Sequence, residues 1–519
     1  MSNIVASGGC GAYTEEVRPE SRWTWLTVGL IALVTLGSRL DWVSYPRFLD
    51  SYYHLGVIQG FRQAGGVALH AFWEAAPAGR PHLYPPLFHL LWVPVWALTG
   101  DPITVARLWT FLGAPLLLLT LASAARALGG PRRAALTVVA ALIPVNLYLS
   151  TLIHPTATLA AIGVLGVWWL LEQRRTLAAG LLLGLIGYLH PGLPWVTALA
   201  LGLLGVVDRT RRHALAIAAL GLLVMAPWWW HVGQHLAALR ATQPPEGRLL
   251  ELPVVALLLG AVGALIAWRR APAYRFPLAL LAAALPWAAR YPYRLLAQGM
   301  VPLALLGGVA IESVWAALSR RWSWGRAAGL AGLAALVTLS PSLLLHAPPG
   351  QRLAWGDTGL AAARGVPQHR GHAESLYHAR EFAPFVEGLR ARARPDDLLF
   401  CNYPYVNGLL SVLTGLATTT NMVPEARGQS WEAAVGQAQW IVWIKIPAEL
   451  DPTSDATRHQ LATARNWHLI TETPIGFLYE APGVTSRRIM NGRVIPWWVA
   501  YAALAALTLA ILFTARPRA

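Results

Sequence analysis

The chain is 519 residues long, 55% hydrophobic and only 13% charged, with 25 tryptophans and a mean hydropathy of +0.46. A soluble globular chain carries about 25% charge, so this composition excludes an ordinary soluble protein and points to a polytopic α-helical membrane protein. The formal net charge of +16 is almost wholly arginine, Lys445 being the single lysine; loop arginines that hold topology account for it, and no nucleic acid is expected as a partner.

The two cysteines, Cys10 and Cys401, lie in different regions and define no disulfide framework. No apolar run precedes Cys10 in SGGCG, so neither a cleaved signal peptide nor a lipoprotein site is expected. A helical crossing needs about 20 apolar residues. Segments that approach this fall at 23–40, 103–125, 134–152, 156–171, 176–190, 194–207, 213–230, 250–268, 276–289, 295–318, 327–346 and 494–515, about 12 spans in all.

Arginines orient these spans. Arg126, Arg132 and Arg133, then Arg174 and Arg175, then Arg209, Arg211 and Arg212, then Arg269, Arg270 and Arg275, then Arg320, Arg321 and Arg326, and finally Arg516 and Arg518 occupy every second connection. The positive-inside rule makes those connections cytoplasmic. The alternate connections then face outward: the loop 41–102, the turns at His154-Pro155 and His190-Pro191, the stretch 231–249, the turn 290–294 and the polar segment 347–490. This register requires that Pro85–Gly100 not cross, which makes it a juxtamembrane or re-entrant helix in the first outer loop. The expected divisions are a cytoplasmic tail 1–22, a transmembrane domain 23–346 that includes the loop 41–102, an extracytoplasmic domain 347–490, and a last helix with a short tail at 491–519.

The first outer loop carries the chemistry-bearing residues Asp41, Asp50, Glu74, His54, His70, His82 and His89. In LDSYYH, Asp50 and His54 stand at i and i+4 and share a face if a helix begins here. Such a pair suits a base or a divalent-cation ligand. The plainer reading is an N-cap opening an amphipathic helix in the membrane interface, with its tyrosines as belt residues. His154 and His190 each end a helix on the outer side, where a histidine is usually a cap or a dipole partner. Arg290 and Arg294 break the charge rule by sitting in a short outer turn. They are either snorkelling side chains or a guanidinium fork for a lipid phosphate.

Within 347–490, the pieces DLLFCN, WIVWIKI, WHLITET and IGFLYEA read as strands, and EFAPFVEGLRARA and ATRHQLATARN as helices, which together imply a small α/β domain. Pro348-Pro349-Gly350 is its boundary. No dinucleotide fingerprint, Walker loop or HExxH string is present, so nucleotide-driven chemistry is not expected.

With these residues in view, the chain resembles the GT-C class of membrane glycosyltransferases, which includes protein O-mannosyltransferases, the aminoarabinose transferase of lipid A and the catalytic subunit of oligosaccharyltransferase. The likeness in layout runs over about 20–320, and its specific part is 41–160. There Asp50 follows the first helix with Tyr52 and Tyr53 behind it, and YPPLFHLLW and GDPITVARLWTFLGAPLLLLTLASAARALGG come next. The resemblance implies transfer of a sugar from a polyprenyl-phosphate or polyprenyl-diphosphate lipid to a lipid, glycan or protein acceptor, at the outer face of the cytoplasmic (inner) membrane. It implies Asp50 as the base or a metal-linked carboxylate, with His54 and His154 beside it as catalytic residues. It implies Arg107 and Arg294 at the donor phosphate; Arg290 joins them as the other half of the guanidinium fork, and Tyr52, Tyr53 and Tyr84 are the expected contacts to the acceptor or sugar.

Three departures stand out. His154 takes the place of the family's second carboxylate, which puts in question the divalent metal, Mg or Mn, that Asp50 and His154 would hold. Tyr84 stands where the family has a lysine before the Pro-Pro pair, and the WWD string of oligosaccharyltransferases is missing from 347–490. Two other classes remain open from the residues alone: a transporter or flippase for a lipid-linked solute, and a catalytically silent assembly protein on the same fold.

Overall fold

The computed structural model describes residues 19–38, 49–238, 252–270, 272–290, 299–322, 324–344, 347, 349–364, 379–422, 429–445, 453–490 and 492–516. Its helices are α1 (Pro19–Ser38), α2 (Leu49–Ala64), α3 (Leu87–Thr99), α4 (Pro102–Leu142), α5 (Val145–Ile153), α6 (Pro155–Glu172), α7 (Thr176–Gly187), α8 (Leu193–Val207), α9 (His213–Gln234), α10 (Val254–Arg270), α11 (Arg275–Arg290), α12 (Met300–Arg321) and α13 (Gly325–Leu339). They are followed by α14 (Gly359–Ala363), α15 (Ala379–Arg392), α16 (Pro404–Thr414), α17 (Trp431–Gln437), α18 (Ser454–Ala464) and α19 (Trp497–Ala515).

Among the described residues, α4, α6, α9, α12 and α19 are long and apolar enough to cross a membrane, and α3, α7, α8, α10 and α13 are shorter apolar helices. The 13 residues of α3 reach only about 20 Å at 1.5 Å per residue, short of the ~30 Å hydrocarbon core. The expected spans 103–125 and 134–152 fall on α4 and α5. α4 consists of two helical segments separated by a non-helical break at Gly129 and Gly130, where φ of Gly130 is +79° and Pro131 follows, so the break lies in the connection expected between the two spans. The second segment stops at Ile143, before Pro144 starts the separate α5. A residue with a Cβ would be strained at Gly130, and proline denies the backbone donor that a continuous helix needs there.

The arginine-bearing connections meet at one end of the bundle. Glu312 of α12 binds both Arg132 and Arg133. Asp208, after α8, binds Arg211 at 2.8 Å and Arg275 at 2.5 Å, and Arg211 also reaches Glu172 at the end of α6. Arg133 bonds to Tyr274, next to Arg275. These pairs tie together the break in α4, the ends of α6 and α8, the start of α11 and the middle of α12.

At the opposite end lies the first loop, and it is not a free loop. Its short strands are β1 (Gly66–Ala68), β2 (His70–Ala71) and β3 (Arg80–Pro81). β1 pairs antiparallel with β11 (Val494–Pro496), which leads directly into α19. Two further short strands, β4 (Ser342–Leu343) and β5 (Leu353–Ala354), pair with each other after α13.

The C-terminal part holds a five-stranded mixed sheet in the order β7-β6-β8-β10-β9. Its strands are β6 (Leu398–Cys401), β7 (Ala417–Thr418), β8 (Trp440–Ile444), β9 (His468–Thr473) and β10 (Gly476–Glu480). β6 is parallel to β7 and β8, whereas β10 is antiparallel to both β8 and β9. Strands β6, β8 and most of β10 are buried, as expected of strands covered on both faces.

The first loop continues this sheet at its β7 edge. Ala76 N–H donates to the Thr418 carbonyl at 2.9 Å, Thr418 N–H to Trp73 at 3.0 Å, and Ala75 N–H to Thr420 at 3.1 Å. Helix α16, which follows β6, packs on α2. A Cβ on Gly60 of α2 would fall 2.0 Å from the Trp73 ring, so only glycine admits this approach of helix and loop.

Candidate active site

Helix α2 is the element on which the site is built. Asp50 lies in its first turn, where the unpaired N–H groups and the helix dipole favour a carboxylate. From Ser51 to Ile58 every residue is buried, because α3, α4, α5, α16 and β1 surround the helix. An amphipathic helix lying in the membrane interface would expose one face; this one exposes only its first turn and its C-terminal end.

His154 reaches Asp50 from the junction that follows α5, a helix packed on α2. It sits between α5 and α6, with φ −120° and ψ 66°, and Pro155 opens α6 behind it. The proline fixes the backbone at the helix start and removes an N–H that would lack a partner there. The imidazole Nδ1 lies 2.7 Å from Asp50 Oδ2, and the two side chains are 25% and 34% accessible. With Asp50 ionised, Nδ1 carries the hydrogen and donates it, which leaves the lone pair on Nε2. A carboxylate that orients an imidazole in this tautomer prepares it to accept a proton. Both groups are open enough for a substrate to reach them.

His54, one turn along α2, is placed differently. It is 2% accessible, and its Nδ1 lies 3.0 Å from Nε2 of His89 on α3. Burial lowers its pKa to about 4, with Asp50 opposing that shift and His154 adding to it, so the ring is neutral at physiological pH. It faces the packed rings of Tyr84 and Phe88, at centroid distances of 5.1 Å each.

Tyr52 and Tyr53 are core residues, 0% and 3% accessible, and present almost no surface to a ligand. Tyr53 belongs to a buried polar network that the sequence did not disclose. Glu74, wholly buried, accepts from Arg80 Nη2 at 2.7 Å through one oxygen and from the Met422 backbone N–H at 2.7 Å through the other. Burial raises the Tyr53 phenol well above its ordinary value even though Arg80 bonds to it. Burial alone would lower Arg80, but Glu74 and Tyr53 hold it above its ordinary value.

Tyr84 is half-buried, and its hydroxyl lies 2.7 Å from Thr156 Oγ1, two residues beyond His154. His190 is a helix cap, its Nδ1 accepting from the Gly192 and Leu193 N–H groups at 3.0 Å. Arg107 is half-buried in the second turn of α4, a helix capped by Asp101. Arg290 ends α11, only its backbone being described, and Arg294 lies outside the described residues.

As a metal site the pair is incomplete. Asp50 Oδ2 and His154 Nδ1 are bonded to each other. Among the described residues no group of three His, Cys, Asp or Glu side chains is placed to hold an ion; Mg or Mn on Asp50 would draw its remaining ligands from a substrate phosphate, as Mg held by one or two carboxylates commonly does.

What the sequence missed had weak signals. His89 was visible among the loop histidines but stands 35 residues from its partner. The Glu74–Arg80–Met422 network closes only after the first loop docks on a segment 348 residues away.

No family model matches the chain, and no curated relative does. Solved structures do. Over 89% of this chain and 98% of its own, ArnT from Cupriavidus metallidurans bound to undecaprenyl phosphate superposes with a TM-score of 0.60 at 14% identity. The Archaeoglobus fulgidus oligosaccharyltransferase AglB, in complex with an inhibitory peptide and a dolichol-phosphate, matches with a TM-score of 0.55 at 11% identity, over 95% of this chain and 83% of its own. The same organism's oligosaccharyltransferase in complex with Zn and sulfate matches with a TM-score of 0.56 at 12% identity, over 94% and 83%. Across nearly its whole described length, then, this chain has the fold of the GT-C membrane glycosyltransferases.

Proposed function

We propose that this chain transfers a sugar from a polyprenyl-phosphate-linked donor to an acceptor on the outer face of the cytoplasmic membrane. The observation that carries the reading is the accessible Asp50–His154 pair, set at the end of the bundle where the first loop docks on the C-terminal sheet. The ArnT and AglB structures, bound to undecaprenyl phosphate and dolichol-phosphate respectively, support the lipid-linked donor.

In this reading about 12 spans carry the bundle, with the sheet-bearing segment 347–490 and the Asp50 end outside. An acceptor hydroxyl gives its proton to the Asp50–His154 pair as its oxygen attacks the anomeric carbon. The bond from that carbon to the phosphate oxygen breaks, and the electron pair leaves with the lipid phosphate. Charge building on the phosphate needs cationic donors, the role of Arg294, Arg290 and Arg107. Tyr84, held by Thr156 beside the pair, is the aromatic contact for the sugar. His54 acts through its neighbours by keeping α2 in place. The proton step is carried by the two side chains themselves.

Transfer measured in membranes containing Asp50→Asn and Arg294→Ala tests the reading. Loss in both is expected; wild-type transfer in both overturns the mechanism.

A further inference from the structure

The C-terminal sheet carries a second cleft, separate from the Asp50 site. A cavity of about 270 Å³ is lined by Trp443, Lys445, Ser454, Asp455, Arg458 and Phe477. Trp443 and Phe477 are directly opposed cross-strand partners on β8 and β10. Lys445 is the first residue past the carboxyl end of β8, and Ser454, Asp455 and Arg458 come from the first two turns of α18. The carboxyl ends of strands in α/β sheets are where ligands bind, because connections diverge there and leave a crevice.

Two cations and a hydroxyl converge on this cleft, and each cation is paired with an exposed carboxylate, Lys445 with Glu472 and Arg458 with Asp455, while keeping donors to spare. Lys445 Nζ gives one hydrogen to Glu472 at 3.1 Å and one to the Thr473 carbonyl at 3.0 Å, leaving its third. Arg458 binds Asp455 through Nε at 2.9 Å and Nη2 at 2.8 Å, and the Tyr479 hydroxyl through Nη1 at 2.5 Å; each Nη retains a hydrogen. Ser454 Oγ accepts from Trp443 Nε1 at 3.3 Å, so its own hydrogen is available. Both cations rest on the Phe477 ring, Lys445 Nζ at 4.5 Å and Arg458 Cζ at 4.1 Å from its centroid, which holds them in place without consuming their donors. Converging cationic donors suit an anionic oxygen carried on a sugar; Trp443 and Phe477, 3% and 8% accessible, back the cleft and hold the cations and do not offer a stacking face.

We propose that this cleft binds an anionic sugar, a carboxylate- or phosphate-bearing saccharide unit of the acceptor. The assignment to the acceptor rests on the glycosyl-transfer reading above; the binding itself does not.

Lys445 supplies the assay, since it is the chain's single lysine and its side chain is 38% accessible. The full-length protein in detergent is treated with an amine-acetylating reagent, and Lys445 acetylation is followed by peptide mass spectrometry. Glucuronate and glucose 6-phosphate are expected to slow it saturably, on the order of fivefold or more, while glucose and inorganic phosphate are not. Arg458→Gln should abolish protection, and Asp455→Asn, which frees Arg458 from its carboxylate, should strengthen it. Absence of protection by either anionic sugar, equal protection by inorganic phosphate, or protection that survives Arg458→Gln overturns the site. The same assay on Asp50→Asn separates the two readings. Protection there, whatever the transfer activity, supports the cleft; sugar transfer by the wild type without protection removes the cleft and leaves the enzyme.

Discussion

Asp50 and His154 come from different helices and meet at 2.7 Å through Oδ2 and Nδ1, so the carboxylate sets the imidazole tautomer and the imidazole sets where the carboxylate points. A pair of this kind acts as a unit, and single losses are then far from additive. Asp50→Asn should lower kcat by a factor on the order of 10³. His154→Gln should cost a similar factor, and the double variant little more than either alone. Steady-state transfer in reconstituted membranes checks this; effects that multiply would show the two residues working independently.

Transfer should also survive removal of divalent cations. In the proposed step the proton passes to the Asp50–His154 pair itself, whose side chains are bonded to each other. Activity assayed after dialysis against EDTA should stay within about twofold of the untreated enzyme. Loss on chelation, restored by Mg or Mn, would require ligands brought to Asp50 by the substrate or by residues outside those described.

Glu74 fastens the first loop to the C-terminal sheet. It is wholly buried and holds Arg80 and the Met422 N–H, both at 2.7 Å. Glu74→Gln leaves Arg80 buried without its counter-charge, a change that costs about 3–5 kcal/mol. The thermal midpoint in detergent should fall markedly, and limited proteolysis should begin near 72–80. Replacing both residues, Glu74→Met with Arg80→Met, should recover much of the loss, because an apolar pair leaves no buried charge behind. An unchanged midpoint in Glu74→Gln would show that the network does not hold the loop.

The membrane character and the arginine pattern were legible in the sequence because each depends on composition over a window. Asp50 and His154 were legible as residue types at the ends of helices, but their bond was not, since nothing local encodes which helix ends meet. The tyrosines after Asp50 misled for a related reason. Tyr52 and Tyr53 read as belt residues on a half-exposed helix, yet α16, from a segment some 350 residues on, packs across α2 and buries them. The same docking explains the hidden pairing of β1 with β11, two short stretches with no strand signal of their own. The break at Gly129-Gly130-Pro131, by contrast, is encoded locally, and it divides α4 where the sequence separates two spans.

His54 makes this packing sensitive to acid. Burial lowers its pKa from 6.5 to about 4, and around it stand Asp50, His154, His89, Tyr53 and Tyr84. Because the folded value lies below the unfolded one, the neutral ring's contribution is fully present above pH 6.5 and is lost as pH falls through about 4. The unfolded chain takes up the proton first, at a difference worth on the order of 3 kcal/mol. The thermal midpoint of the wild type should therefore drop between pH 7 and pH 4.5. His54→Phe keeps the aromatic packing and removes the titrating group, so its midpoint should be lower at pH 7, through loss of the bond to His89, but flatter with pH. An equally steep decline in His54→Phe would assign the acid sensitivity to other groups.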